Sequence, residues 1–230
     1  MRGEQADRPN FFVRGFRWVL YHCIAIPVLQ VLTRVTFGLR MKGRKNIRGL
    51  EGAVLCCNHV HYLDSAMIAC AVSPRRVTFA SQPDNFHLPV AGWLVRQLGC
   101  ISVGSSVLET KDFIKTMSAR LKEGDWFGIF PEGELVTYSK ALREFREGAF
   151  QIAAMSGTPV VPIMILQRPK KGWRKINLRP PLTIQFGEPI WPPQDGSLRE
   201  KRRILCRQCY EAMSDIQERF DGRHRELRRL

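Results

Sequence analysis

The segment Asn58-His59-Val60-His61-Tyr62-Leu63-Asp64 directly follows a short apolar run, Ala53–Cys57. Histidine is the side chain poised to exchange a proton near neutral pH. A carboxylate beside it fixes its tautomer and stabilises its charged form. His59 and Asp64 are therefore a candidate base and its orienting acid. Their spacing sets a condition. Five residues along one helix put two side chains about 140° apart, so the pair meets only if His59 lies in the turn before a helix. Taken alone, Asp64 reads as a plain N-cap and His59 as a loop histidine. A second group, Phe130-Pro131-Glu132-Gly133-Glu134, also closes an apolar run. Pro131 and Gly133 make a tight turn that presents the Glu132 carboxylate at a sheet edge; the plainer reading is a surface turn. The blocks Arg143–Phe150 (REFREGAF) and Val160–Ile163 (VVPI) read singly as a helix start and a buried strand.

A metal reading competes at the first segment. His59-x-His61 with Asp64 partly matches the HxHxDH run of metallo-hydrolases. That run needs Asp at position 63 and His at position 64, where Leu63 and Asp64 stand, and only His22, His87 and His224 remain to complete a site. No metal is expected. Cys206 and Cys209 form a lone CxxC with no second pair, so they read as two thiols one helical turn apart. The seven cysteines, several of them inside apolar runs, indicate a reducing, cytoplasmic setting.

The elements that position these groups follow from pattern. Ala53–Cys57, Arg76–Ala80, Cys100–Val103, Trp126–Phe130, Val160–Leu166 and Leu182–Phe186 read as strands. Ser65–Val72, with Asp64 or Ser65 as N-cap, reads as a helix, as do Val90–Leu98, Thr110–Leu121, Phe145–Met155 and Leu198–Arg219. Strands alternating with helices imply an α/β fold, with a mostly parallel central sheet flanked by helices. In such sheets ligands bind at the carboxyl ends of strands, where both candidate groups fall.

At 230 residues and 44% hydrophobic, the chain builds one substantial core. Its composition excludes a disordered acidic chain and a polytopic membrane protein. The net charge of +15 is unevenly placed. Residues 1–48 hold ten basic and two acidic residues, 49–167 hold ten and eleven, and Arg168–Pro180 holds six and none. The apolar run Trp18–Leu32 is 15 residues long, shorter than the roughly 20 that a spanning helix needs. Arg14 and Arg17 precede it and Arg34, Arg40, Lys42, Arg44, Lys45 and Arg48 follow. That bracketing suits a helix lying in a membrane interface; a buried N-terminal helix and a spanning one are the competing readings. Nucleic-acid binding would need cations interleaved with stacking aromatics on one face. Here the cations flank apolar runs, so the expected partner is an anionic membrane surface and no nucleic acid.

The four blocks taken in order, NHxxxxD, FPEG, F-basic-x-GAFxxA and VPI, resemble the glycerophospholipid acyltransferase family, which includes the bacterial 1-acylglycerol-3-phosphate acyltransferases. The resemblance covers about residues 40–190, and the basic apolar N-terminus resembles the family's membrane-docking segment. It implies a membrane-docking helical segment over residues 1–45, an acyltransferase α/β domain over 46–197 and a basic C-terminal helix over 198–230. It also implies a membrane-associated enzyme at the cytoplasmic face of the cell membrane, without cofactor. An acyl chain would pass from acyl-CoA or acyl-carrier protein to a hydroxyl of a lysophosphatidate-like lipid, or of another amphiphile. His59 would be the base and Asp64 its partner, with Asn58, Phe130, Pro131, Glu132 and Gly133 toward the acceptor. No GxSxG elbow is present, in keeping with a transfer that needs no serine nucleophile. The departures concern phosphate: where family members carry arginines, Gly104 and Leu135 stand, and Ala80–Pro83 replaces a Lys- and Glu-bearing run. Arg75, Arg96, Lys111 and Lys140 are candidate substitutes. A non-catalytic basic lipid- or nucleic-acid-binding protein is the alternative of another class.

Overall fold

A computed structural model of the chain describes residues 19–81, 92, 100–104, 106–172 and 179–226. Apart from Gly92, the helix expected over Val90–Leu98 lies outside the described residues, as do Arg14, Arg17, Trp18 and most of the Trp173 stretch. A π-helical turn (Leu20–Ala25) runs into α1 (Ile26–Phe37). There follow β1 (Arg40–Lys42), β2 (Ala53–Cys57), α2 (Asp64–Val72), β3 (Val77–Ser81) and β4 (Ile101–Ser102). Next come α3 (Val107–Lys122), β5 (Trp126–Ile129), α4 (Gly148–Ser156), β6 (Val160–Gln167), β7 (Leu182–Phe186) and α5 (Leu198–Glu226).

The strands form one sheet in the order β1-β7-β6-β2-β5-β3-β4. Every neighbouring pair is parallel except β6 and β7, so the expected α/β class holds with one antiparallel step. β2 lies at the centre and all five of its residues are buried. Ala53, Leu55 and Cys57 face the layer that holds α2, with Met67, Ile68 and Ala71. Val54 and Cys56 face the layer of α3, α4 and α5, with Met117, Phe150, Leu205 and Met213. A strand covered on both faces has no polar side to alternate with, hence the unbroken apolar run. All seven cysteines are free.

Several boundaries depart from the sequence reading. α2 begins at Asp64, with Leu63 at the cap position and no side-chain cap bond, so neither Asp64 nor Ser65 is the N-cap. α3 starts at Val107 rather than Thr110, under a reciprocal capping box between Ser106 and Glu109. α4 starts at Gly148, leaving Phe145–Glu147 in the preceding loop. β1 is a charged edge strand that the sequence pattern did not mark.

Among the described residues no helix is long and apolar enough to cross a membrane. α1 packs on α2 through Ile26, and Gln30 donates to the Cys70 carbonyl at 3.2 Å. Its opposite side, with the turn before it, leaves Ile24, Val28, Val31, Leu32 and Val35 exposed.

Candidate active site

β2 and β5 are neighbours in parallel register, so Asn58-His59 and Phe130-Pro131 leave the sheet side by side. His59 lies in the loop before α2, which meets the spacing condition. Its Nδ1 is 2.9 Å from Asp64 Oδ2. The same oxygen accepts from the backbone amides of Val60 at 2.7 Å and His61 at 2.8 Å. The Asp64 side chain is fully buried, whereas that of His59 is 22% exposed. A carboxylate held by two amides is a fixed acceptor, so Nδ1 carries the proton and Nε2 is left as the basic atom. His61 takes the opposite tautomer. Its Nδ1 accepts from the Leu63 amide at 3.1 Å, and burial lowers its pKa and favours the neutral ring.

The His59 ring stacks on Phe130, with centroids 4.0 Å apart and planes 13° apart. Phe79 stacks behind Phe130 at 6.1 Å. Phe130 thus serves as a flat wall that limits the imidazole to motion in its own plane. Asn58 is buried, and its amide is engaged at both ends by the backbone of Ile165.

The FPEG turn departs from its expected form. Glu132 is only 6% exposed, so it is neither a surface turn residue nor a carboxylate presented at the edge. Arg143 Nε and Nη2 donate to its Oε2 at 2.8 and 2.5 Å. Arg143 also donates to the Glu134 carbonyl. Burial raises the Glu132 carboxyl above its usual range, against the pull of Arg143 and of the His59 backbone amide. Gly133 has φ +79°, and a Cβ there would lie 2.5 Å from Nε of Arg146. The positive φ favours glycine here, and the Arg146 side chain occupies the space a Cβ would fill. Pro131 is buried, and its carbonyl accepts from the Arg146 amide at 2.7 Å.

The cation substitutes fare unequally. Arg75 lies over Trp126, which opens β5, and so sits at the far end of the sheet from His59. Lys111 is exposed on α3, Lys140 is exposed in the loop after the turn, and Arg96 lies outside the described residues. Position 104 has no room for a side chain, because a Cβ there would fall 2.0 Å from that of Glu109. The residues overlooked were Arg143 and Arg146. Both were visible in REFREGAF, but nothing local in the sequence shows that this block folds back on the turn eleven residues earlier.

A histidine paired with a carboxylate at the end of a central parallel strand, beside an FPEG turn, is the arrangement that the resemblance to acyltransferases implies. Residues 38–166, over half of the chain, match the family model described as Acyltransferase, and the chain belongs to that family. A 1-acyl-sn-glycerol-3-phosphate acyltransferase of Bacillus subtilis is 24% identical over 77% of this chain and 86% of its own. A chloroplastic 1-acyl-sn-glycerol-3-phosphate acyltransferase of Arabidopsis thaliana is 32% identical over 76% of this chain and 49% of its own, so the chain spans about half of that relative. A lyso-ornithine lipid O-acyltransferase of Pseudomonas aeruginosa is 26% identical over 66% of this chain and 52% of its own. The crystal structure of the 1-acyl-sn-glycerophosphate acyltransferase PlsC from Thermotoga maritima shares the fold. It has a TM-score of 0.54 and 18% identity over 87% of this chain and 89% of that one.

Proposed function

We propose that the protein is a membrane-associated O-acyltransferase that moves an acyl chain from acyl-CoA or acyl-carrier protein to a hydroxyl of a lysophosphatidate-like lipid. The observation that carries this reading is the His59 Nδ1–Asp64 Oδ2 contact at 2.9 Å, with Asp64 sealed and His59 open. Nε2 of His59 takes the acceptor's hydroxyl proton. The oxygen attacks the thioester carbonyl, the C–S bond breaks as the ester C–O bond forms, and the imidazolium returns the proton to the leaving thiolate. Asp64 stabilises the imidazolium meanwhile. The names of the Bacillus and Arabidopsis relatives support the acceptor class.

Docking rests on the exposed apolar side of α1 and on the cations around it. Ile24, Val28, Val31 and Val35 repeat at helical spacing, with Arg34 and Arg40 beside them, a composition that suits the cytoplasmic face of an anionic membrane. A second reading keeps the chemistry and changes the acceptor to a lipid without phosphate. Gly104 and Leu135 favour it, as does the lyso-ornithine lipid named for one relative.

The test is His59→Ala, assayed for transfer from labelled acyl-CoA or acyl-carrier protein to lysophosphatidate in vesicles. Activity should fall by about two to four decades. Retained activity would overturn the mechanism, and a wild-type protein that floats with vesicles but transfers nothing would favour a binding module.

A further inference from the structure

We propose that Arg146 holds the phosphate of the acceptor, a role that rests on the acyltransferase reading above. The argument begins with which charges near His59 are already matched. Asp64 is taken by His59 and two amides. Glu132 takes Arg143 at 2.5 Å, and Arg143 reaches Glu134 as well. Arg143 is therefore committed to two glutamates and offers little charge to a ligand. Glu147, next to Arg146 in the chain, is paired at 2.6 Å with Arg202 of α5. Arg146 itself forms no ion pair among the described residues, and it is exposed.

Its place is set by the backbone. The Arg146 amide donates to the Pro131 carbonyl at 2.7 Å, and its guanidinium lies against the Cα of Gly133. The Gly133 amide in turn bonds the Phe130 carbonyl at 3.1 Å, and Phe130 is the residue stacked on His59. A guanidinium is thus laid on the FPEG turn, whose first residue Phe130 stacks on His59, and Arg146 is exposed there. A planar fork of N–H donors matches two oxygens of a phosphate monoester and holds it with direction as well as charge. An acceptor gripped there by its phosphate would offer its hydroxyl toward His59. Position 104 cannot carry a side chain and position 135 carries an apolar one, so Arg146 is the cation at the turn that forms no ion pair among the described residues.

The experiment compares the full-length wild type with Arg146→Ala, Arg146→Glu and Arg146→Lys in vesicles. Two acceptors of equal chain length are used, lysophosphatidate and the phosphate-free monoacylglycerol. Thermal melting of each variant checks that it folds. The kcat/KM ratio of phosphate to phosphate-free acceptor should drop about ten- to a hundred-fold in Arg146→Ala. It should drop further in Arg146→Glu and recover in part in Arg146→Lys. A ratio that does not change across these variants overturns the assignment. So does a rise in the KM for acyl-CoA in place of the acceptor, which would give the guanidinium to the donor's phosphates. A wild-type enzyme that prefers monoacylglycerol overturns it too, while leaving the acyltransferase reading intact. A wild type that transfers to neither acceptor overturns that reading itself.

Discussion

Asn58 and Ile165 are joined twice: the Ile165 amide donates to Asn58 Oδ1 at 2.8 Å, and Asn58 Nδ2 donates to the Ile165 carbonyl at 3.2 Å. The register explains the pair. β2 and β6 are in step up to Cys57 and Ile163, and the main chain then leaves the sheet toward His59. The Asn58 side chain takes over the place that the next β2 peptide would have filled. Asn58→Leu would leave two buried backbone groups on β6 without partners. It should destabilise the protein by about 2–4 kcal/mol, read as a shifted urea midpoint, with loss of acyl transfer. An unchanged midpoint would mean that the loop is held elsewhere.

Asp64→Asn tests the charge behind the imidazole. The amide oxygen can still accept from Val60, His61 and His59 Nδ1, but it carries no charge to balance an imidazolium. kcat should fall by about 10²–10⁴ with little change in KM. A fall in kcat/KM caused only by KM would place Asp64 in binding rather than in proton transfer.

Arg143→Gln strands a buried carboxylate. Burial already raises the Glu132 carboxyl above its ordinary 4.5, and Arg143 is the largest opposing influence. A carboxyl that holds its proton more tightly folded than unfolded contributes stability at low pH and loses it as pH climbs through the folded value. Removing Arg143 raises that value further. The variant's Tm should therefore decline more steeply than the wild type's as the pH climbs above the ordinary carboxyl value of 4.5. Parallel Tm profiles would contradict the pairing.

The thiols give a native labelling site for testing docking. Burial pushes Cys70, Cys100 and Cys206 up to about 11, and Cys56 and Cys57 well above their usual range. Cys23 is exposed beside Ile24, on the apolar side that leads into α1. A maleimide near neutral pH should mark Cys23 first, and anionic vesicles should slow that reaction while neutral ones do so less. Equal labelling with and without vesicles would argue against α1 as the docking surface.

What the residues announced and what they hid divide along contact distance. Ala53–Cys57 ends where its apolar run ends, because continuous burial leaves no other pattern for a strand, and Leu182–Phe186 follows the alternation of Leu182, Ile184 and Phe186. The His59–Asp64 pair was legible because His59 lies in the short loop that Asp64 closes as the first residue of α2. β1, Arg-Met-Lys, was not, since an edge strand borrows its conformation from β7 rather than from its own side chains. Ser106 and Glu109 carry a capping box at the spacing a sequence can show, and it starts α3 three residues before the expected Thr110. Glu132's burial depends on Arg143, and nothing in either segment encodes that meeting.

The ring of Phe37, last residue of α1, stands edge-on to His61 at 4.9 Å. His61 and His59 flank Val60, and both answer to Asp64. The helix with the exposed apolar side therefore ends against the loop that holds the base. With α1 resting on a bilayer, the height of the imidazole above the lipid headgroups would be set by this aromatic contact and by the packing of α1 on α2, rather than by a flexible tether. A lipid hydroxyl could then be met at a fixed depth, without the molecule being lifted out of its leaflet.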